Sequence, residues 1–359
     1  MKLSSRQILF FLTAIAPLGK TVLLPALLAS VAKNDLLFPV LAQILVQAAL
    51  VFCVLLLSRR ERTLYQLIEN TAGGVFAKIF IILFSAFLLF ASFLPIVEQK
   101  IMVRSIFYDT IPAYLVFTPF FLFSAYLACR PLSALGRMWD ILAPLSVIGL
   151  AGILLLAAGS TDFGSLAPVG ATGVQGFVSG TALTCSWFYD AALLLPLIGR
   201  FRYTKGLAWK GALCYLAGGG VLLLFLAVFY GVFGEIAVIQ SLGFARISGF
   251  FSAMTVLGRI DYVFIYALAF VMTFYVILPV QEAVGYISEA FSSPKALAPL
   301  LSAGCNLALL AAIYGFHFRT SAIVSVMTKS LFWIFPVFTV ALPVLLLIVF
   351  GRHPHEKIS

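Results

Sequence analysis

The sequence has very little charge for its length. Only 10% of its 359 residues are Asp, Glu, Lys or Arg, whereas 63% are hydrophobic. A soluble domain of this composition would have to cover its surface with apolar side chains, which excludes an ordinary soluble protein. Apolar runs long enough to cross a bilayer recur along the chain, without the alternating segments of a membrane barrel. We predict an all-α polytopic membrane protein, with residues 1–359 forming one integral membrane domain.

Histidine and cysteine are also scarce. The three histidines are His317, His353 and His355, and the five cysteines include no C-x-x-C pair. The chain lacks the G-x-S-x-G, H-E-x-x-H, P-loop and G-x-G-x-x-G signatures. These absences exclude a His-based membrane metalloprotease. We expect no catalytic residues, no metal site and no cofactor, and predict that the protein is not an enzyme.

The net charge of +10 reflects where the basic residues lie. Lys and Arg concentrate in the segments between apolar runs. If the N-terminus is cytoplasmic, roughly fifteen basic residues fall on the cytoplasmic side and about seven on the other, as the positive-inside rule requires. Both termini are therefore predicted to be cytoplasmic. The excess of basic residues is explained by membrane topology and does not indicate a nucleic-acid partner.

About ten segments contain the roughly 20 apolar residues that a membrane span needs. The predicted spans cover about 7–30, 36–57, 76–104, 111–129, 139–158, 174–198, 208–233, 259–290, 296–316 and 331–350. A short interfacial helix is predicted at 63–70, and a loop with a surface helix at 234–258.

Pro17, Gly19 and Lys20 lie together inside the first predicted span. Proline removes a backbone donor and clashes with the preceding turn, and glycine leaves helical geometry at little cost. A lysine near the bilayer centre is costly wherever it faces lipid. Such a cluster is best tolerated where the helix opens onto a cavity and its backbone groups meet a ligand or an ion. We therefore predict a broken first helix beside a binding site.

The sixth span has its own helix breakers, Gly176 and Gly180. Spans one and six run in opposite directions, and interrupted helices at corresponding positions indicate inverted repeats with a midplane site. We predict two inverted five-helix repeats, at about 7–158 and 174–350, with helices one and six broken. Gly176-x-x-x-Gly180 is equally typical of a closely packed helix face.

Seven short stretches occur in order along the chain: SSRQ at 4–7, LLP at 23–25, AKND at 32–35, PLSALGR at 131–137, ILAP at 141–144, LAPV at 166–169 and GRID at 258–261. Together they resemble the B subunit of nutrient germinant receptors in spore-forming bacteria. That family belongs to the amino acid–polyamine–organocation transporter superfamily. The resemblance implies a LeuT-like fold and a small nutrient, often an amino acid, as ligand. It also implies the inner spore membrane as location, and receptor A and C subunits as partners.

The sequence departs from the family pattern at several positions. Gly258 stands where the family usually has Glu, and 241–243 lacks a common proline. Asp190 fills an acidic position in span six, and Lys20 is unusual. These departures indicate a divergent member. A secondary amino acid transporter of the same fold is the main alternative, and a scaffold that binds nothing small is a third.

The predicted ligand site lies around the broken first helix. Exposed N–H groups at the start of a half-helix suit a carboxylate, although Pro17 and Gly19 could form only a structural kink. Hydroxyls in span six form a polar stripe, unless they bond back to the preceding turn. The candidate ligand-binding residues are Pro17, Leu18, Gly19, Lys20, Thr21, Ser92, Gly180, Thr181, Thr184, Ser186, Tyr266 and Thr273.

Lys20 has several interpretations. It could bind an anionic ligand group, replace a coupling cation, or pair with a buried carboxylate, for which Asp190 and Glu98 are the candidates. Snorkelling toward the interface is the less favoured alternative. For Glu98 a local charge balance with Lys100 is favoured. Glu282 and Glu289 are expected on solvated faces near the inner end of span eight.

Overall fold

The computed structural model describes residues 2–107, 113–249, 261–316 and 319–351. Regular structure in these ranges is helical, apart from one bridge that pairs Leu3 with Phe201. The helices are α1 (Ser5–Leu18), α2 (Leu24–Ala32), α3 (Leu37–Leu57), α4 (Leu64–Ala72), α5 (Gly74–Ala91), α6 (Phe93–Phe107), α7 (Ala113–Ala128), α8 (Leu132–Ala158), α9 (Gly173–Thr184), α10 (Asp190–Leu194), α11 (Leu207–Phe233), α12 (Gly243–Gly249), α13 (Asp261–Ala290), α14 (Ala298–Gly315), α15 (Thr320–Ser325), α16 (Ile334–Pro336) and α17 (Leu342–Gly351).

Several helical segments are long and apolar enough to cross a membrane. Five qualify among the described residues, and a bent pair near the C-terminus makes a sixth. The five are Leu37–Arg60, Gly74–Met102, Leu132–Leu155, Leu207–Ile239 and Ala298–Gly315. The predicted all-α membrane architecture is therefore confirmed. The predicted first and sixth spans are each divided into two shorter helices, α1 with α2 and α9 with α10.

Two predicted boundaries are wrong. Helix α8 begins at Leu132, seven residues before the predicted start, because Pro131 takes the extended N-cap conformation that begins a helix. Helical structure near the tenth predicted span begins at Thr320, before the predicted start at about 331, and the segment Thr320–Ser330 meets Ile334–Phe350 at 61°. Within this segment Ile323 and Met327 are buried in the core, although its hydroxyl residues and Lys329 resemble a loop in the sequence.

The N-terminal helix lies against α11 at a glycine. A Cβ atom added to Gly218 would lie 2.1 Å from the carbonyl oxygen of Thr13 and 3.3 Å from the Cβ atom of Ala16. No side chain fits at that distance from a backbone oxygen, so the absent side chain permits the close approach of the two helices. Two residues further along, Gly220 is exposed and has no neighbouring atom within 4 Å of such a Cβ.

These two glycines give a matched test of the contact. Gly218→Ala is expected to lower the free energy of unfolding by about 1–3 kcal/mol, because the added methyl group forces α1 and α11 apart. Gly220→Ala should leave it unchanged or raise it by up to about 1 kcal/mol through helix propensity. Denaturant unfolding of both variants in detergent micelles measures the difference. Equal midpoints for the two variants would show that α1 does not pack on α11 in this way.

One end of the bundle is held by the chain start and the loops after α3 and α10. The backbone N–H of Leu3 donates to the carbonyl of Arg200 at 3.0 Å, and the N–H of Arg202 donates back to Leu3 at 3.0 Å. Lys2 lies 3.7 Å from the carboxylate of Glu61. The segments that the positive-inside rule assigns to one side therefore contact one another.

The other end is closed by a buried carboxylate between α2 and α3. Asp35 accepts hydrogen bonds from the backbone N–H groups of Gly170 and Thr172, at 2.6 and 2.8 Å, and from the Thr172 hydroxyl at 2.7 Å. Asn34 donates to the carbonyl of Pro168. Desolvation opposes ionisation of Asp35, but the bonds from Thr172 and Gly170 outweigh it and lower the pKa of this carboxyl.

Candidate functional site

The first helix is broken just after Pro17. Helix α1 ends at Leu18 and α2 begins at Leu24, so five residues between them are not helical. The N–H groups of Gly19 and Lys20 both turn back to the carbonyl of Pro17. A helix end leaves carbonyl groups without their usual partners. At this end, side chains supply the missing donors.

Two side chains donate to the same carbonyl in α1. The Nζ atom of Lys20 lies 3.2 Å from the carbonyl oxygen of Ile15, and the hydroxyl of Tyr275, on α13, also donates to it. The Tyr275 ring lies so close to Gly19 that an added Cβ would be 3.0 Å from it. The break is thus tied to α13.

The break is also bonded to the start of α12. The N–H groups of Gly243 and Phe244 donate to the carbonyls of Val22 and Thr21, both at 3.0 Å. An added Cβ on Gly243 would lie 3.1 Å from the carbonyl oxygen of Thr21. A proline at this position could not donate, because it has no N–H. Glycine at 243 therefore donates its backbone N–H to Val22 and leaves room for the Thr21 carbonyl.

The sixth predicted span is broken as well, but not where its glycines predicted. Helix α9 continues through Gly176 and Gly180 and ends at Thr184, and α10 begins at Asp190. An added Cβ on Gly180 would lie 2.7 Å from the Cγ atom of Pro39 on α3. The placement of the break at Gly176 and Gly180 is therefore wrong, and Gly180 serves as a close-packing position.

A buried glutamine on α3 bonds across this second break. The Nε2 atom of Gln47 donates to the carbonyl of Phe188 at 2.8 Å, and its Oε1 atom accepts from the N–H of Ala191 at 3.0 Å. One turn earlier, Gln43 donates to the carbonyl of Thr181 at 3.2 Å. Gln47 thus satisfies backbone groups on both sides of the break, inside a membrane segment where water is absent, whereas Gln43 adds a donor to a carbonyl that already accepts from the Cys185 N–H.

Lys20 and Asp190 join the two breaks. The Lys20 Nζ atom lies 2.8 and 3.0 Å from the two carboxylate oxygens of Asp190, and both side chains are 1% exposed. The hydroxyl of Tyr215, on α11, donates to Asp190 at 2.6 Å. The ring of Phe188 covers the ammonium group, 4.8 Å from its centroid.

The ammonium group of this ion pair has no hydrogen-bond donor left for a ligand. An ammonium group has three donors, and those of Lys20 meet Asp190 twice and the Ile15 carbonyl once. Snorkelling is excluded, because Lys20 is buried and its ammonium group bonds within the bundle. An anionic ligand could reach Lys20 only by displacing Asp190.

Glu98, on α6, faces the same two breaks. Its Oε1 atom accepts from the indole N–H of Trp187 at 3.0 Å and from the backbone N–H of Leu23 at 3.3 Å. Its Oε2 atom is buried and has no hydrogen-bond partner among the described residues. The local charge balance with Lys100 was therefore the wrong interpretation, because the Glu98 carboxylate bonds across the bundle.

The predicted hydroxyls bond to backbone carbonyls. This is the alternative in which hydroxyl groups complete the preceding turn or a neighbouring segment. The bonds run from Thr181 to Phe177 (2.8 Å), from Thr184 to Thr181 (2.9 Å), from Ser92 to Leu88 (3.0 Å) and from Ser186 to Met327 (2.9 Å). Ser92, Thr184 and Ser186 are buried, and Thr181 is half-buried.

Five candidate ligand-binding residues remain, and the structure describes the side chains of three of them. Pro17 and Thr21 are buried at the first break, and Thr273, on α13, is buried with Gln99 donating to its hydroxyl at 3.4 Å. The side chains of Leu18 and Tyr266 lie outside the described part of the structure.

A protein-family profile matches most of the chain. The profile described as spore germination protein matches residues 2–321 of this chain. The chain belongs to the spore germination protein family. The family is of the membrane permease type and is not a known enzyme family. No curated protein matches the chain.

Three residues of the candidate site were missed in the sequence. Gln47, Tyr215 and Tyr275 each bond to one of the breaks or to Asp190. A signal was present for Gln47, because Gln43 and Gln47 lie one turn apart in an otherwise apolar span, and polar residues inside membrane spans are usually functional. The two tyrosines lie inside predicted spans, where an aromatic ring with one hydroxyl does not distinguish a hydrogen-bonding residue from an apolar packing residue.

The inner end of α13 carries a further correction. Glu282 and Glu289 were expected on solvated faces. Glu282 is fully buried, and neither of its carboxylate oxygens has a partner among the described residues. Glu289 is bonded to Arg200 at 3.1 Å and accepts from the Thr63 hydroxyl. The periodicity of an apolar span does not reveal which charged residue turns inward.

Two cavities in the described part of the chain lie away from the charged groups. A cavity of about 260 Å³ lies beside α3 and the loop before α9, and one of about 20 Å³ lies between α1, α8 and α13. Neither is lined by Lys20, Asp190 or Glu98. The charged groups are covered by protein, so a ligand reaches them only when the segments around the two breaks move apart. This geometry suits a site that changes conformation when it is occupied.

Proposed function

We propose that the chain is the nutrient-binding membrane subunit of a spore germinant receptor, and that it senses a small molecule, an amino acid in our proposal, between the two helix breaks. The observation that carries the proposal is the buried Lys20–Asp190 pair, which joins the break in the first helix to the break in the sixth. Membership of the germination family supplies the biological setting.

The proposal includes an architecture. In it, ten spans form two inverted five-helix repeats, at about 7–158 and 174–350, with broken helices at corresponding positions. The breaks after Leu18 and after Thr184 support this arrangement, because interrupted helices in two halves accompany midplane sites in transporters. Both termini face the cytoplasm, and receptor A and C subunits receive the signal.

A buried ion pair suits a sensor on energetic grounds. Removing two charges from water costs several kcal/mol, so such pairs are rarely kept for stability alone, and fixing one conformation is a use that some proteins make of them. Here the pair joins the non-helical segment after α1 to the first residue of α10. A nutrient that binds between these segments, held at their spacing by the pair, would favour one conformation over another, and the partner subunits can read that difference.

Equilibrium binding to the purified full chain in lipid nanodiscs tests the proposal. Each of the twenty common amino acids is added separately, and stabilisation is followed as a rise in the thermal unfolding midpoint. Proteoliposomes containing the chain alone are then tested for uptake of any labelled amino acid that binds. Binding without accumulation supports the sensor. Accumulation inside the liposomes supports the secondary transporter, and failure of all twenty to bind favours a scaffold.

A further inference from the structure

One carboxylate oxygen beside the two breaks lacks a hydrogen-bond donor among the described residues. Lys20 and Asp190 satisfy each other, with the Tyr215 hydroxyl and the Ile15 carbonyl completing their hydrogen bonds. Glu98 is the third ionisable group here, and one of its two oxygens is left without a partner in the part of the chain that the structure describes. A buried carboxylate oxygen without a donor is costly. A donor at this oxygen would remove that cost, and the described residues supply none.

The position of this oxygen is fixed by the two breaks. Trp187, inside the second break, and Leu23, at the end of the first, both donate to the other oxygen of the same carboxylate. These two bonds orient the Glu98 carboxylate and leave its Oε2 atom for a further donor. A group bound there would contact the carboxylate that links both breaks, so its arrival would affect their relative position.

Lys20 has no comparable capacity. Its three donors are used, so it offers nothing to the acidic end of a ligand while the pair is intact. The unmatched atom of the site is a carboxylate oxygen, which accepts hydrogen bonds and is negatively charged when ionised. Recognition therefore begins at the cationic end of the ligand.

We propose that the Glu98 Oε2 atom is the subsite for a primary ammonium group, so that the nutrient belongs to the class of small amines, including amino acids. The inference rests on the proposed function and narrows it. Nutrients without an amine, such as sugars and simple carboxylic acids, are excluded from this site. The ammonium group would donate to Oε2 and neutralise the carboxylate within the break region.

The test uses probes with and without the amine. Glycine, L-alanine and ethylammonium chloride are compared with glycolate, L-lactate and sodium chloride at constant ionic strength, on the full chain in nanodiscs. The unfolding midpoint of the wild type should rise with the three amines and not with their amine-free counterparts. Equal stabilisation by lactate and alanine, or by sodium and ethylammonium, would overturn the subsite.

Two variants localise the effect. Glu98→Gln keeps an oxygen for Trp187 and Leu23 but removes the charge, and it should weaken amine binding at least about tenfold, a loss of about 1.4 kcal/mol. Glu289→Gln removes a carboxylate at the inner end of α13 and should bind as the wild type does. Unchanged amine affinity in Glu98→Gln would overturn the inference. If Glu98→Gln does not fold, the comparison of alanine with lactate on the wild type still decides.

The two proposals fail differently. If an amino acid from the panel binds and Glu98→Gln binds it equally well, the proposed function stands and the amine subsite is wrong. If ethylammonium binds through Glu98 but no amino acid binds, the subsite stands and nutrient sensing of amino acids is wrong. If neither the amines nor the amino acids bind, both are wrong.

Discussion

Asp190→Asn is expected to lower the free energy of unfolding by about 3–5 kcal/mol, because it leaves the Lys20 ammonium group buried without its counter-ion. Lys20 is 1% exposed, and two of its three hydrogen bonds go to the Asp190 carboxylate. An asparagine can accept from Tyr215, but it cannot neutralise the lysine. Denaturant unfolding in detergent micelles measures the loss.

A matched control separates burial from the loss of charge. Glu289→Gln also removes one carboxylate from an ion pair, but Arg200 and Glu289 keep 21% and 25% of their side-chain surface exposed. Such a pair contributes about 1 kcal/mol or less. Asp190→Asn should therefore cost several times as much as Glu289→Gln. Equal losses would mean that Lys20 does not depend on Asp190 for its neutralisation.

The double variant Lys20→Met, Asp190→Asn is expected to fold almost as well as the wild type and yet to lose the nutrient response. Replacing both partners of a buried pair by uncharged side chains of similar size is often neutral for stability. Without the pair, the two breaks are no longer held at the spacing that the nutrient contacts, so the affinity for the nutrient falls. Spores carrying this receptor variant should need at least about tenfold more amino acid, corresponding to about 1.4 kcal/mol of lost coupling.

Comparison with the single variants makes this result interpretable. Lys20→Met alone leaves Asp190 buried with only the Tyr215 donor and should be as unstable as Asp190→Asn. The sum of the two single losses should exceed the loss in the double variant by several kcal/mol, as in a double-mutant cycle of a buried pair. If the double variant folds and its spores germinate at the wild-type nutrient concentration, the pair has only a structural role.

The break in the first helix was predictable because its cause is local. Proline, glycine and a charged residue within four positions of an apolar span disfavour a regular helix through the backbone itself. The prediction placed the break at Pro17–Thr21, and the structure leaves residues 19–23 non-helical. The helix predicted at 63–70 has an equally local cause, since Thr63 and Gln66 form a capping box at the start of α4.

The break in the sixth helix depends on tertiary contacts and was misplaced. Gly176 and Gly180 suggested a break, but glycine also permits close packing, and at Gly180 the neighbour is Pro39. The real break from 185 to 189 carries no proline or glycine. It is stabilised by Gln47, which lies some 140 residues earlier in the chain. No local pattern reveals such a partner.

The partners of the buried charged residues were also only partly predictable from the sequence. Asp190 was foreseen as a partner for Lys20 because an unpaired charge in a membrane is rare. Glu98 was assigned to its sequence neighbour Lys100, whereas its carboxylate bonds with Trp187 and Leu23 from two other segments. Sequence spacing identifies which residues share a helix face. Which face turns inward is decided by the packing of the whole bundle.

The central claim is that a nutrient binds between the two helix breaks, and photo-cross-linking tests it most directly. Diazirine analogues of the amino acids that stabilise the purified chain are bound, irradiated and mapped by mass spectrometry. We predict labels within 17–24 and 184–191, lost when the unmodified amino acid is added in excess and absent from the Lys20→Met, Asp190→Asn variant. Labels confined to the surface cavity beside Asn34 and Leu41, or unchanged in that variant, would contradict the account.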